Sequence, residues 1–442
     1  MSLLTRFQNL AAAGADTNPY EPATHLALPG IGENNESDAT IAFTSFTAND
    51  PSGFDTPTWQ SSYQLTTNTS SEISYSLCMF DPKAKSIVHV GGRASTSGVV
   101  NMSIYNVNNP NSPSYAGKYR NATLGGQYQP KTYALSDRIH HTRMMGCVYN
   151  GEVGDCYIFN TGIGTGVSDW GSPNPLINRS PNISSIPTIS CFFNSHADNV
   201  YVQEAKGGPA NNYRVVNVYT FNTGGSLGGE FSGLTLQSSI GHPQAVYDLY
   251  ARGMVKDTNI MFCLSGQFKD GSNTTSTQVA CILYDISNPA SPVVKGEVLI
   301  EGVSRTYFND FYTASYGDYV VLFAGNGSTT GVRIFTIDCS DPDNPSVTQS
   351  LSVNTSGDST TYFPNWIAWD QGSNAAYIMG AFGAGVPRRV EFSSSGGITP
   401  RNFLTNTTVP PYNTWFNTKI TNYPGTSGST LTQVGKPAAL YF

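Results

Sequence analysis

Charge is scarce in this 442-residue chain. Asp, Glu, Lys and Arg together make up 12% of it, against about a quarter in typical soluble proteins. With 23 Lys+Arg against 30 Asp+Glu the formal net charge is −7. No basic run occurs, which disfavours nucleic-acid binding by phosphate neutralisation, and no nucleic-acid partner is expected. Long apolar runs are missing too: nothing approaches the roughly 18 residues of a membrane span, so no membrane insertion is expected. Leu3-Leu4 and Ala11-Ala12-Ala13 are apolar, but Arg6, Gln8 and Asn9 interrupt them, and no secretory signal peptide is expected. The cysteines, at 78, 147, 156, 191, 263, 281 and 339, are odd in number and lack Cys-x-x-Cys spacing. Most fall inside apolar strands and read as buried free thiols. Nucleophile elbows, His-Glu-x-x-His helices and phosphate-binding loops are absent as well, and no cofactor is expected.

What the chain has instead is a repeat. Ile282–Pro292 runs an apolar strand with an aromatic end into Ser-Asn-Pro-Ala-Ser-Pro, and Ile104–Pro113 does the same. Ile334–Pro345 matches with two residues inserted before the first proline. In each copy the prolines sit three apart, at 110 and 113, 289 and 292, 342 and 345. Proline fixes φ and withdraws an amide donor, so the strand must stop and turn there. Fainter copies follow once the aromatic is used as a marker: Tyr105, Phe159, Tyr219, Tyr284, Phe335, Phe392 and Phe442, at intervals of 54, 60, 65, 51, 57 and 50 residues. A second strand precedes most markers, at Ile87–Gly91, Asn199–Val202, Asn259–Gly266, Asp318–Gly325 and Ala375–Gly380.

A period near fifty residues, all strand and turn, predicts a radial array of small sheets. The fold class is all-β: a seven-bladed β-propeller spanning residues 56–442. Its last blade runs out of chain on the third strand, so a strand from near the N-terminus must complete it. Trp59–Thr67, pairing with the final Leu440–Phe442, is the expected donor, and such closure removes two exposed sheet edges. Residues 1–55 form a separate leader. Leu3, Leu4, Phe7 and Leu10 share one face at helical spacing, predicting a short amphipathic helix. At about three turns it is marginal alone in water, so it should pack on the rim or on a partner. An extended arm follows.

The leader, with its helix and Asn18-Pro19-Tyr20 step, resembles the N-terminal segments of tailed-phage virion proteins. The proline-turn units resemble the LVIVP repeat, a propeller-forming repeat of secreted and surface proteins. Together the resemblances imply a non-enzymatic virion structural protein. It would be present in multiple copies and anchored to other virion proteins by its N-terminal arm. Tail or fibre assembly, or attachment to a host-surface glycan or protein, is the role they imply. The alternatives are a secreted or cell-surface LVIVP-type binding module, or a capsid decoration protein.

Contact residues are expected in the loops between second and third strands, opposite the proline turns, because variable loops on a rigid scaffold usually carry binding. Arg93, Lys206, Lys269 and Asp270 are their charged members, and Trp170 is a further candidate for stacking on a sugar. His140-His141 could share a metal only with distant partners, since neighbours in a strand point to opposite faces, and no metal site is expected. Asp338–Asn344 is acidic but falls where sister units carry the same turn, so it reads as a turn and not a calcium loop. Trp369–Ser373 resembles the Asp-box of sialidase propellers, yet lacks the Ser/Thr two residues before the Asp, and reads as a hairpin turn.

Overall fold

In the computed structural model the described residues are 22–32, 40–45, 58–64, 75–81, 85–92, 100–109, 114–121, 128–135, 143–150, 153–160, 191–193, 200–206, 214–221, 234–240, 249–265, 279–303, 312–325, 332–353, 367–378, 388–402, 431–434 and 438–440. There is no helix among them, and every strand pairing is antiparallel.

In chain order the strands are β1 (His25–Gly32), β2 (Thr40–Ser45) and β3 (Thr58–Gln64); β4 (Tyr75–Asp81), β5 (Ser86–Gly92), β6 (Val100–Asn106) and β7 (Ser114–Asn121); β8 (Tyr128–Leu135), β9 (Arg143–Asn150) and β10 (Val153–Asn160). Next come β11 (Cys191–Phe193), β12 (Val200–Lys206), β13 (Arg214–Phe221) and β14 (Leu234–Ile240); β15 (Leu249–Met254), β16 (Ile260–Ser265), β17 (Val279–Asp285) and β18 (Val293–Ile300). The series ends with β19 (Tyr312–Tyr316), β20 (Tyr319–Gly325), β21 (Val332–Asp338) and β22 (Ser346–Val353); β23 (Ile367–Asp370), β24 (Ala375–Ile378), β25 (Arg388–Phe392) and β26 (Ile398–Asn402); and then β27 (Leu431–Val434) and β28 (Ala438–Leu440). Each group from β4 to β26 is a simple meander, while β27 and β28 return to pair with β1. Leading strands lie beside leading strands: β4 beside β8, β8 beside β11, β11 beside β15, β15 beside β19, and β23 beside β28, which also lies beside β4. Small antiparallel sheets set side by side in this way make a β-propeller type of fold.

The inner strands are apolar on both faces because each sheet is covered on both sides. In β16 and β17, Phe262, Leu264, Cys281 and Leu283 pack toward Val320, Leu322, Phe335 and Ile337 of the following sheet. The alternate residues Met261, Cys263, Ala280 and Ile282 pack toward Val216 and Val218 of the preceding one. The next interface joins Val321, Phe323 and Ile334 to Ile367, Ala376, Ile378, Val390 and Phe392. Outer strands are different: β22 alternates between exposed and half-covered residues along most of its length.

The six described markers, Tyr105, Phe159, Tyr219, Tyr284, Phe335 and Phe392, all lie on third strands, and the five expected second strands are β5, β12, β16, β20 and β24. Phe442 and the expected helix over Leu3, Leu4, Phe7 and Leu10 lie outside the described residues.

Three expectations need correction. The strand that pairs with Ala438–Leu440 is β1, through His25, Leu26 and Ala27; β3 occupies the far edge of that sheet, in the order β27-β1-β2-β3. The chain therefore returns to the edge of a three-stranded N-terminal meander, and does not stop on a third strand awaiting a fourth. Second, His25–Gly32 and Thr40–Ser45, placed in an extended arm, are strands of this sheet. Third, the third proline unit carries no insertion. Asn106, Asp285 and Asp338 each accept a hydrogen bond from the main-chain N–H two residues on, at Asn108, Ser287 and Ser340, and the first proline lies four residues beyond in every copy. The intervening residues Val107, Ile286 and Cys339 each donate N–H to the turn before the second strand, at Lys85, Asn259 and Asp318. The aromatic shifted; the turn did not.

These turns also join sheets. The pairing of third with fourth strand skips a residue or two on the outer strand at Ala116, Gln237, Lys295-Gly296 and Thr348, a recurrent β-bulge. The next sheet's turn sits on it. Ser238 Oγ donates to Pro289 O at 2.6 Å, Lys295 Nζ lies 3.0 Å from Asp343 Oδ1, and Ile398 N donates to Gln349 Oε1 at 2.7 Å. At Gly296 an added Cβ would stand 2.5 Å from Pro345 Cδ and 2.7 Å from the carbonyl oxygens of Pro342 and Asp343.

Gly296→Ala is therefore expected to lower stability by about 1–3 kcal/mol through overpacking, read from chemical-denaturation midpoints. Val293→Thr, at a 55% exposed site of the same strand, should change it by under ~0.5 kcal/mol. Burial, with the Asp338 charge adding, pushes the Cys339 thiol from 9.0 up to about 12. The unfolded thiol ionises first, so this contribution is intact below about pH 9 and is lost as pH rises toward 12. Thermal midpoints measured across that range should fall, and should fall less in Cys339→Val, which installs the side chain found at Val107.

Candidate functional site at the junction of the two chain ends

Asp370 ends β23 and is fully buried. Its carboxylate organises the hairpin that follows: Gly372 N donates to Oδ1 at 3.0 Å, Ser373 N to Oδ1 at 3.3 Å and Ser373 Oγ to Oδ2. Asn374 adopts φ 47°, which closes the turn, as asparagine tolerates. The hairpin reading of Trp369–Ser373 agrees with this geometry.

The same carboxylate reaches across the chain. Ala23 N donates to both Oδ1 and Oδ2, each at 3.1 Å, over a separation of 347 residues. Immediately afterwards Thr24 N donates to Leu440 O at 3.0 Å, and His25, Leu26 and Ala27 run antiparallel to Leu440, Ala439 and Ala438. Ala23, Leu26, Ala27 and Leu440 are buried, and so is His25, whose Nδ1 lies 2.8 Å from Thr24 Oγ1. Three separate stretches of chain thus meet here: residues 22–27, the last strand, and the β23–β24 hairpin.

Two strands over, in β25, Arg389 is 4% exposed, lies 3.3 Å from Glu391 Oε1, and sits over the Tyr377 ring at 5.8 Å. Burial raises the Tyr377 phenol, and the Asp370 charge adds to it. Asp370 accepts from four donors, Gly372 N, Ser373 N, Ser373 Oγ and Ala23 N, and so ties its own hairpin to the N-terminal stretch.

Of the residues singled out from sequence, Lys206 closes β12 opposite Arg214. Arg93, Lys269, Asp270 and Trp170 lie outside the described residues, as do Leu3, Leu4, Phe7 and Leu10. Topology still relates several of them. Arg93 lies between β5 and β6, Lys269 and Asp270 lie between β16 and β17, and the loop after Lys206 joins β12 to β13. All fall in sequence between second and third strands. Asp338–Asn344 behaves as a turn: Asp341 accepts from Asp343 N and from Asn344 Nδ2. Those bonds hold its carboxyl below the usual range. Among the described residues no group of three His, Cys, Asp or Glu is placed to hold a metal. The Ala23–Asp370 contact was invisible in the sequence, because its donor is a main-chain N–H.

No family model and no curated protein matches the chain in sequence. Solved structures do resemble it. A hypothetical selenium-binding protein from Sulfolobus tokodaii aligns with TM-score 0.54 at 11% identity, over 87% of this chain and 91% of that one. Prolyl oligopeptidase B from Galerina marginata aligns with TM-score 0.50 at 10% identity, over 90% of this chain but 55% of that one. The Dos1 propeller aligns with TM-score 0.46 at 12% identity, over 88% of each. At such identities the likeness is one of fold alone.

Asp370→Ala should cost about 1–3 kcal/mol by leaving buried main-chain donors unpaired. Hydrogen exchange should quicken at residues 23–27 and 438–440 and stay unchanged in β16 and β17. Uniform quickening throughout would mean that the clamp is not local.

Proposed function

We propose that the chain is a seven-bladed β-propeller closed by strands from both of its ends, and that it serves as a non-enzymatic structural component of a tailed-phage virion. In this reading the leader, with Leu3, Leu4, Phe7 and Leu10 on one helical face, binds other virion proteins. The second-to-third loops bearing Arg93, Lys206, Lys269 and Asp270, with Trp170, face outward to a host-surface glycan or protein. Many copies sit on each particle, in the tail or fibre.

The observation that supports a tethering role is how the leader is rooted. β1 is hydrogen-bonded on one edge to β2 and on the other to β27 and β28, and Ala23 is clamped by Asp370 just before it. A pull on the chain ahead of Pro22 loads these ladders along their length, so their bonds must yield together. A leader attached to a loop would tear free one contact at a time. The low charge of the chain and its two sequence resemblances favour a particle surface over a cytoplasmic enzyme.

Two measurements test the reading. Electron microscopy of the purified chain should give a ring of seven sheets; six or eight would sink the architecture. Removing residues 1–21 should leave melting within a few degrees of the full chain while abolishing incorporation into particles, scored by antibody labelling of purified virions. Particles that never carry the full-length protein would overturn the virion assignment and favour the alternative, a secreted binding module.

A further inference from the structure

Val293, Val294 and Leu299 of β18, with Leu236 of β14, are the large apolar side chains left exposed among the described residues. On the outer strand β22 the exposed positions are Ser346, Thr348, Ser350 and Ser352 instead. Register sorts the residues of β18. Val294, Glu297 and Leu299 stand opposite Tyr284, Ile282 and Ala280, and so share the face turned to the β11–β14 sheet. On β14, Thr235 and Ser238 stand opposite Thr220 and Val218 and face back toward β18. Tyr284 and Ala280 are buried, whereas Val294 and Leu299 are 43% and 37% exposed. The two sheets therefore part toward the rim and leave a groove, closed at its turn end by the bond from Ser238 Oγ to Pro289 O.

We propose that this groove receives residues 1–13 of a second copy of the chain, docked as an amphipathic helix, so that copies link head to tail. The inference rests on the reading of the leader as a binding segment and names its partner. Leu3, Leu4, Phe7 and Leu10 share one helical face, the apolar ridge that a groove walled by Val294 and Leu299 accepts. Arg6, the one side-chain cation among residues 1–21, lies one turn from Leu3 and Leu10 and borders that face. Glu297 stands between Val294 and Leu299 on the groove wall. Partial burial holds its carboxyl above the ordinary range, and a guanidinium beside it offsets that effect. A helix of about three turns is marginal alone and is completed by docking. A second copy is favoured over the leader's own because the leader joins the fold at Pro22, next to the Ala23–Asp370 contact. The β19–β22 and β23–β26 sheets lie between that point and β18. Donor segment and acceptor groove on different parts of one chain make a heterologous contact, which propagates into rings or filaments.

The test is sedimentation velocity on the full chain, on the chain lacking residues 1–21, and on the full-length Val294→Lys, Leu299→Lys double variant. The full chain should form multimers that grow with concentration, and each altered form should stay monomeric. Mixed together, the two altered forms should give a one-to-one dimer and nothing larger, since one keeps only the groove and the other only the leader. A monomeric full chain, multimers that persist without residues 1–21, or a mixture that stays monomeric would overturn the proposal. Charge reversal decides the case if the double lysine variant unfolds: Arg6→Glu should weaken assembly of the full chain, and adding Glu297→Arg should restore it. Association in solution without incorporation into particles would remove the virion assignment alone; incorporation of a chain that is monomeric in solution would remove this inference alone.

Discussion

Every inner sheet of this protein that is described on both sides is apolar on both faces, and that constraint shapes the rest. Alternate residues of β16 and β17 serve two different interfaces, Phe262 and Leu283 one way, Met261 and Ile282 the other. Each such side chain contributes roughly 1.5–3 kcal/mol on full burial. A linear stack would leave two terminal faces of this kind in water, a loss no small domain can carry against its chain entropy. Bending the stack until its ends meet is the physical solution, and it is the reason for proposing a closed ring. The sheet made of β1, β2, β3, β27 and β28 is where such a ring would shut, since it draws on both ends of the chain and lies beside both β4 and β23.

The outer rim is held by other means. Toward the fourth strands burial fades, and the joint between an outer-strand bulge and the following turn takes over. Its polar contacts are modest: the Lys295–Asp343 pair is partly exposed, with side chains at 27% and 58%, and such pairs are worth about 0–1 kcal/mol. Shape matters more. Pro345 and the carbonyls of Pro342 and Asp343 fill the space that a side chain on Gly296 would need. One sheet later the prolines are gone, but Gly396 takes up φ 79°, offers its carbonyl to Thr336 Oγ1 at 2.7 Å and packs on Tyr319 and Thr348. The turn recurs along the chain because a neighbouring sheet reads it, which explains why its chemistry can drift from proline to glycine while its position holds.

That joint also explains what was legible in the sequence. Third strands announced themselves because an aromatic or β-branched run must stop at a turn whose geometry is fixed, and second strands because a tight hairpin precedes each. The aromatic proved a looser marker than the Asx residue: Phe335 sits two places before Ile337, which is the true counterpart of Tyr284, and this offset mimicked an insertion. The sheet at the chain ends was misread for a different reason. Pro29, Gly30 and Gly32 give β1 the look of an extended arm, and of its two neighbours in the sheet only β2 is local, β27 and β28 lying about four hundred residues on. Nothing local marks that pairing. The Ala23–Asp370 contact is harder still, since nearly every residue carries the same main-chain donor.

Asp370 couples these levels. A buried carboxyl group needs hydrogen-bond partners, and its own hairpin supplies donors from Gly372 and Ser373. Ala23 adds a donor to both oxygens, so the N-terminal stretch is welcome at this site and little else of uncharged, apolar character would be. Docking of residues 22–27 completes the solvation of the charge, aligns β1 for pairing with β28, and covers the apolar side chains of Leu26, Ala439 and Leu440. The three gains come together or not at all, because one rigid segment delivers them.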